Sequence, residues 1–289
     1  MSIRFTKMHG LGNDFMVLDA RRQKIHITET LIKRWSDRHT GIGFDQLLIL
    51  ESSDTHGVDF RYRIFNADAT EVEHCGNGAR CVALFAHRTG NKTQREFRCS
   101  TMKGELTLSV LDHNRVSVAM GIPNFEPAAI PLLGFERADS YQLSLAAEER
   151  GDVFDTIDVG ALSIGNPHAI VWVESVERAP VELVGPRVER HPRFPSRVNV
   201  SFAEIVNRSQ LNLRVYERGV GETQACGTGA CAAAVYGIQT GKLDSPVTVT
   251  LPGGTLEIEW RGEGEQVIMT GPASFVYDAE LLDNGPECD

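Results

Sequence analysis

Cys75 and Cys226 each open the same kind of run, Cys75-Gly-Asn-Gly-Ala79 and Cys226-Gly-Thr-Gly-Ala230. Glycines on both sides of Asn77 and of Thr228 leave the main chain bare where a helix begins. The first N–H groups of a helix have no partner within it, and the helix dipole adds partial positive charge there. Such a turn suits a carboxylate or a phosphate. A thiol one residue ahead lies in the same field, which predicts a pKa drawn from the usual ~8.5 toward neutrality. Two such turns facing one another would hold one anion between two thiols. That pairing fits inversion of a carbon next to a carboxylate: one group removes a proton from one face and the other returns a proton to the opposite face. The carbanion pushes charge into the carboxylate, where preorganised N–H donors stabilise it.

The two runs belong to a longer repeat. Ile64 through Ala79 aligns without a gap on Val215 through Ala230, a shift of 151 positions (75 to 226). Gly12-Asn13 matches Gly165-Asn166, and Gly90, Gly104 and Gly121 match Gly241, Gly254 and Gly271 in order. An ordered series of this kind indicates duplication. The expected halves are 1–120 with 272–289, carrying Cys75, and 121–271, carrying Cys226.

In each half, β-rich runs such as Gln46–Leu50 and Tyr62–Phe65 lead into the cysteine turn. Ala79, Val82, Ala83 and Ala86 recur at helical spacing, and Gly90 stands where a C-terminal cap belongs. The partner helix runs from Ala230 through Ile238 and ends before Gly241. Alternating strands follow at Glu105–Val110 and Val247–Leu251. One apolar helix amid many strands predicts a sheet curled around a central helix, twice over. Ser274–Ala279 reads as a last strand that returns to the first half. Pro131–Asp155 carries no periodic pattern and is expected only to connect at the surface.

Lys+Arg 29 against Asp+Glu 39 gives a net charge of −10, so no general grip on nucleic acid or anionic lipid is expected. No unbroken apolar run is long enough to span a bilayer, and the first ten residues lack the apolar stretch of a secretory signal. These features predict a cytoplasmic protein acting on a small molecule. The close cysteine pairs, 75/81 and 226/231, do not match zinc-ligand spacing and run into helices, so no metal site is expected. Cys81, Cys99, Cys231 and Cys288 read as small buried hydrophobes. Gly10-Leu-Gly12 is not a dinucleotide fingerprint, because Phe15 occupies the third glycine position.

Met8–Phe15, Gly43–Gln46, Phe65–Asp68, Cys75–Cys81, Gly165–His168, Arg197–Asn199 and Glu217 through Ala230 together resemble the diaminopimelate epimerases. The resemblance covers nearly the whole chain. It implies an α+β fold of two pseudo-symmetric αβ barrels and a cofactor-independent inversion of one α-carbon of LL-diaminopimelate to the meso form, on the route to lysine and peptidoglycan. By the same resemblance, Cys226 is the base acting on the LL substrate and Cys75 the acid. Gly76, Asn77, Gly227 and Thr228 cradle the reacting carboxylate, while Asn13, Gln46, Asn66, Asn166, Asn199, Glu217 and Arg218 make the remaining substrate contacts. Arg218 has the planar fork that a distal carboxylate requires. His168 and Glu217 tune the thiols, and Tyr277 lies at a homodimer interface.

Alternative roles remain for several of these residues. Asn13 and Asn166 also suit turns after glycine, His168 also suits satisfaction of a backbone group, and Tyr277 also suits a core. The chain departs from the family pattern at Ala69, where glycine is usual, at Thr70, where serine is common, and at His74, where Met or Gln is more frequent. Two rival activities are a proline- or hydroxyproline-type racemase and a thiol-based redox sensor. The racemases carry His where this chain has Asn77, and a sensor needs no duplicated anion turn.

Overall fold

A computed structural model describes residues 2–72, 75–145 and 156–282. The chain divides into two compact units, 1–118 with 271–289, and 119–270.

The first unit contains β1 (Ser2–Gly10), β2 (Asn13–Asp19), α1 (Glu29–Ser36), β3 (Gln46–Glu51), β4 (Phe60–Asn66), α2 (Gly76–Thr89), β5 (Glu96–Thr101), β6 (Gly104–Val110) and β7 (Arg115–Ala119). The second contains β8 (Tyr141–Ser144), β9 (Thr156–Ser163), β10 (Pro167–Trp172), α3 (Val181–Glu189), β11 (Asn199–Asn207), β12 (Gln210–Glu217), β13 (Gly221–Thr223), α4 (Gly227–Gln239), β14 (Val247–Leu251), β15 (Gly254–Glu259) and β16 (Ile268–Pro272). The final strand, β17 (Ser274–Leu282), pairs antiparallel with β1 and so belongs to the first unit.

The pairings repeat strand for strand. From β17 the first sheet runs through β1, β2, β3, β4, β5 and β6, and its β2–β3 and β4–β5 pairs are parallel. From β8 the second runs through β9, β10, β11, β12, β14 and β15, with β10–β11 and β12–β14 parallel at the matching places. The strand that follows each repeat in sequence thus completes the sheet of the other unit.

In each unit the sheet curls around one helix. Helix α4 touches β9, β10, β11, β12, β14 and β15, and α2 touches β1, β2, β3 and β6. Both helices are buried along most of their length, as a helix enclosed by a sheet must be. Ala230, Ala232, Ala233 and Ala234 keep α4 thin enough to fit. Helix α2 ends where expected, with the Gly90 N–H bonded to Ala86 O at 2.8 Å.

Two sequence expectations are corrected. Each unit carries a second helix outside its sheet. On α1, Ile32 and Trp35 pack beneath β3 in a cluster with Phe44, Leu47 and Ile49; α3 buries Val181, Val184 and Val188 in the same way. Eight- and nine-residue helices show too little periodicity to stand out in a sequence. The stretch from Pro131 is not mere surface connection either. Leu132, Tyr141, Leu143 and Leu145 are buried in the second core, and β8 supplies an edge of its sheet. Burial on one face of a four-residue strand leaves only two apolar positions to read. The remainder of that stretch, 146–155, lies outside the described residues, as do His74 and Cys288.

Candidate active site

In the first unit, the β1–β2 hairpin turns through Leu11 and Gly12, at φ 57° and 85°, and delivers Asn13. Its Oδ1 faces the Cys75 thiol at 3.8 Å, and its Nδ2 donates to Asp45 Oδ2 at 3.0 Å. Asp45 belongs to an ionic cluster with Asp14, Arg38 and Lys7. Burial would raise the Asp14 carboxyl, but hydrogen bonds from Arg38 and Lys7 outweigh it and hold the group well below the usual carboxylate range. Gln46 on β3 donates to Asn66 Oδ1 at 2.9 Å, and Asn66 Nδ2 donates to Thr70 Oγ1 at 3.1 Å. Gln46 Oε1 is buried with no partner among the described residues.

Cys75 is the N-cap of α2, and its half-buried sulfur accepts the Gly78 N–H at 3.3 Å. Gly78 is glycine for a steric reason: a Cβ there would lie 2.3 Å from the Tyr62 hydroxyl. Asn77 is buried and turns its Oδ1 to Arg80 Nη2 at 2.8 Å, so Gly76 and Asn77 offer the turn's main chain rather than a side chain.

In the second unit, the β9–β10 hairpin turns through Gly165 at φ 78° and delivers Asn166. His168 is fully buried, and its Nε2–H donates to Asn166 Oδ1 at 3.0 Å, which leaves Nδ1 without a partner among the described residues. Burial, with the Arg218 charge adding to it, pushes this imidazole down to about 3, so it is neutral at ordinary pH. Asn166 Nδ2 donates to Thr228 Oγ1 at 3.3 Å, and that hydroxyl lies 3.6 Å from the Cys226 sulfur. His168 therefore reaches Cys226 only through Asn166 and Thr228.

Cys226 is the N-cap of α4 and is buried. Its thiol donates to Glu217 Oε2 at 3.1 Å, and the Thr223 hydroxyl donates to Glu217 Oε1 at 2.5 Å. Desolvation raises the Glu217 carboxyl, against the pull of Thr223 and Cys226. The expected low pKa is reversed at Cys226. Burial first, then the Glu217 charge, push the thiol well above its ordinary range, and Thr228 and Gly229 offset only part of this. A helix dipole supplies about half a charge, too little to outweigh a dry site and a carboxylate in contact.

Asn199 is buried on β11, with Nδ2 bonded to Pro167 O and Oδ1 accepting the Arg218 N–H, each at 3.0 Å. The exposed Arg218 guanidinium donates to Ser196 O at 3.2 Å. Tyr277 stands on β17, partly exposed and edge-on to Phe5 with ring centroids 6.1 Å apart. Sequence reading missed Thr223, Asp45 and Arg38. Asp45 sits inside the Gly43–Gln46 motif, which was the one signal for it, whereas Thr223 is an unremarkable residue brought to Glu217 by the β12–β13 hairpin. Cys81, Cys99 and Cys231 are buried, as small hydrophobes would be.

Duplicated curled sheets, each with a cysteine capping its central helix, define an epimerase-type fold. The same fold appears in the hydroxyproline epimerase of Agrobacterium vitis solved with trans-4-hydroxy-L-proline, with a TM-score of 0.65 at 14% identity over 99% of this chain and 94% of that one. Within that class, the chain belongs to the diaminopimelate epimerase family, whose model matches residues 5–126 and 160–276. It is 54% identical to the diaminopimelate epimerase of Pseudomonas entomophila and 52% identical to that of Ectopseudomonas mendocina. Each match covers 97% of this chain and 99% of the relative.

Proposed function

We propose that the chain interconverts LL- and meso-diaminopimelate by proton transfer at one α-carbon, with Cys226 and Cys75 as a two-base pair and no cofactor. The observation that carries this reading is the buried Cys226 thiol donating to Glu217 at the head of α4, with a second cysteine capping α2 at the matching position.

Glu217, whose proton affinity burial has raised, takes the thiol proton and leaves a Cys226 thiolate. The thiolate abstracts the α-hydrogen of the LL substrate. The electron pair delocalises into the α-carboxylate, where main-chain N–H groups of Gly76, Asn77, Gly227 and Thr228 stabilise it. The Cys75 thiol then protonates the carbon from the other face, and the meso product leaves with the cysteines in exchanged protonation states. Asn13, Gln46, Asn66, Asn166 and Asn199 orient the amino and carboxyl groups, and Arg218 takes the distal carboxylate with its two-pronged fork. The neutral His168 orients Asn166 and Thr228 beside the thiol. The same reading makes the protein a cytoplasmic homodimer with Tyr277 at the interface, serving lysine and peptidoglycan precursor synthesis.

The test is to incubate pure protein with LL-diaminopimelate, and separately with L-proline, in deuterated water without added cofactor. Early in the reaction the meso product carries deuterium at the inverted carbon while recovered LL substrate stays unlabelled. Inversion of proline only, or product retaining the original hydrogen, rejects the proposal.

A further inference from the structure

Glu189, the last residue of α3, is a carboxylate only 1% exposed, and no step of the proton transfer calls on it. Its Oε1 accepts the Gly219 N–H at 3.0 Å and lies 3.5 Å from Arg197 Nη1. Its Oε2 takes Arg190 Nε at 3.0 Å, and its main-chain carbonyl accepts the Val198 N–H at 3.2 Å. A buried charge persists only when paired and hydrogen-bonded, and losing one partner is then costly. This one ties together the end of α3, the loop 190–198 and the turn after β12.

Arg218 stands beside that knot, one residue before Gly219. Asn199 holds its N–H, Glu189 holds the next N–H in the chain, and its guanidinium donates to Ser196 O in the loop that Glu189 closes through Arg197. Helix α3 can come this close because residue 185 is glycine: a Cβ there would lie 2.7 Å from the Tyr216 ring. An arginine is a long, flexible chain, and its affinity for an anion improves when the bound rotamer is fixed beforehand.

We propose that Glu189 is the positioning residue for Arg218, setting the place and direction in which the guanidinium meets a distal substrate carboxylate. The inference rests on the reading of Arg218 as the residue that binds that carboxylate.

The experiment is steady-state kinetics of Glu189→Gln, Arg218→Gln and the double variant with LL-diaminopimelate, beside thermal melts. Glutamine keeps an oxygen that Gly219 and Arg197 can share, but it removes the acceptor for Arg190 and the charge that attracts both arginines. Glu189→Gln is expected to raise KM about tenfold, the scale of one charged hydrogen bond, with kcat near wild type. The double variant is expected to be no worse than Arg218→Gln, because the two act as one unit. An unchanged KM in the folded Glu189→Gln protein, or additive losses in the double variant, overturns the positioning role. Wild-type kcat/KM in Arg218→Gln instead overturns the reading of Arg218, and the inference with it. If the glutamine variant does not fold, Glu189→Asp carries the same expectation, since it keeps the buried charge but withdraws the carboxylate from Gly219.

Discussion

Asn66 and Glu217 occupy the same place in the two sheets, the last residue of β4 and of β12, and only one of them is charged. Gln46 pairs with Asn66 across β3–β4, and Val200 pairs with Tyr216 across β11–β12, one step before Asn199 and Glu217. Phe15 pairs with Gln46 as His168 pairs with Asn199. The duplicated frame therefore presents two corresponding sets of polar side chains around two cysteines. Divergence has put a proton acceptor beside Cys226, where the first unit has an amide that bonds Gln46 and Thr70.

Glu217→Gln keeps the shape and the Thr223 contact but removes the acceptor for the Cys226 proton. Loss of one acid–base group is worth about 10²–10⁴-fold, and the fall is expected in kcat more than in KM. Stopped-time chiral analysis of the product measures it. A variant within a few-fold of wild type would mean that Cys226 ionises without Glu217.

Alkaline pH is expected to destabilise the fold through its buried thiols. Burial pushes Cys81 and Cys99 up to about 12, against ~8.5 in an unfolded chain. With the folded pKa raised, the stabilisation is fully present below the unfolded value and is lost as pH climbs toward the folded one. The loss approaches ~1.4 kcal/mol per pH unit for each thiol in that window. Urea midpoints at pH 8 and pH 10.5 report it, and Cys81→Ala is expected to flatten the difference even if it lowers both midpoints.

Gly78→Ala places a Cβ 2.3 Å from the Tyr62 hydroxyl and 3.2 Å from Leu48 Cδ2. Overpacking of this kind costs ~1–3 kcal/mol. That hydroxyl is buried without a partner among the described residues, so Tyr62→Phe alone is expected to be neutral or stabilising. The pair Gly78→Ala with Tyr62→Phe is expected to recover most of the loss, and a double-mutant cycle on melting data measures the coupling. Additive effects would mean that the clash is relieved elsewhere.

Ala69 has φ 72°, and its N–H closes a turn onto Asn66 O at 2.9 Å. An L-residue with a Cβ is strained in the left-handed region. Ala69→Gly is expected to raise stability by ~0.5–1 kcal/mol after glycine's extra unfolded-state entropy is counted. Activity is expected to be unchanged, because the turn that presents Asn66 already has this conformation. Calorimetric melts of the two proteins decide it.

The repeat, both cysteine turns and the central helices were legible in the chain because they are local. Glycine spacing, helical periodicity and a matched shift in register need no knowledge of what packs on what. Candidate ligands such as Asn13 and Asn166 could be marked because each follows a turn glycine in both halves. Tertiary structure decided what depends on burial and on residues distant in sequence. It reversed the expected acidity of Cys226, since a helix dipole can be read from sequence but the dry site and the Glu217 contact cannot. It separated His168 from Cys226 by two intervening side chains. It also buried the Glu189 carboxylate beneath two exposed arginines and the Gly219 N–H, although nothing near that position in the sequence distinguishes it from a charge at a helix end. Local pattern carries backbone conformation, whereas the energy of a charge depends on which groups surround it in three dimensions.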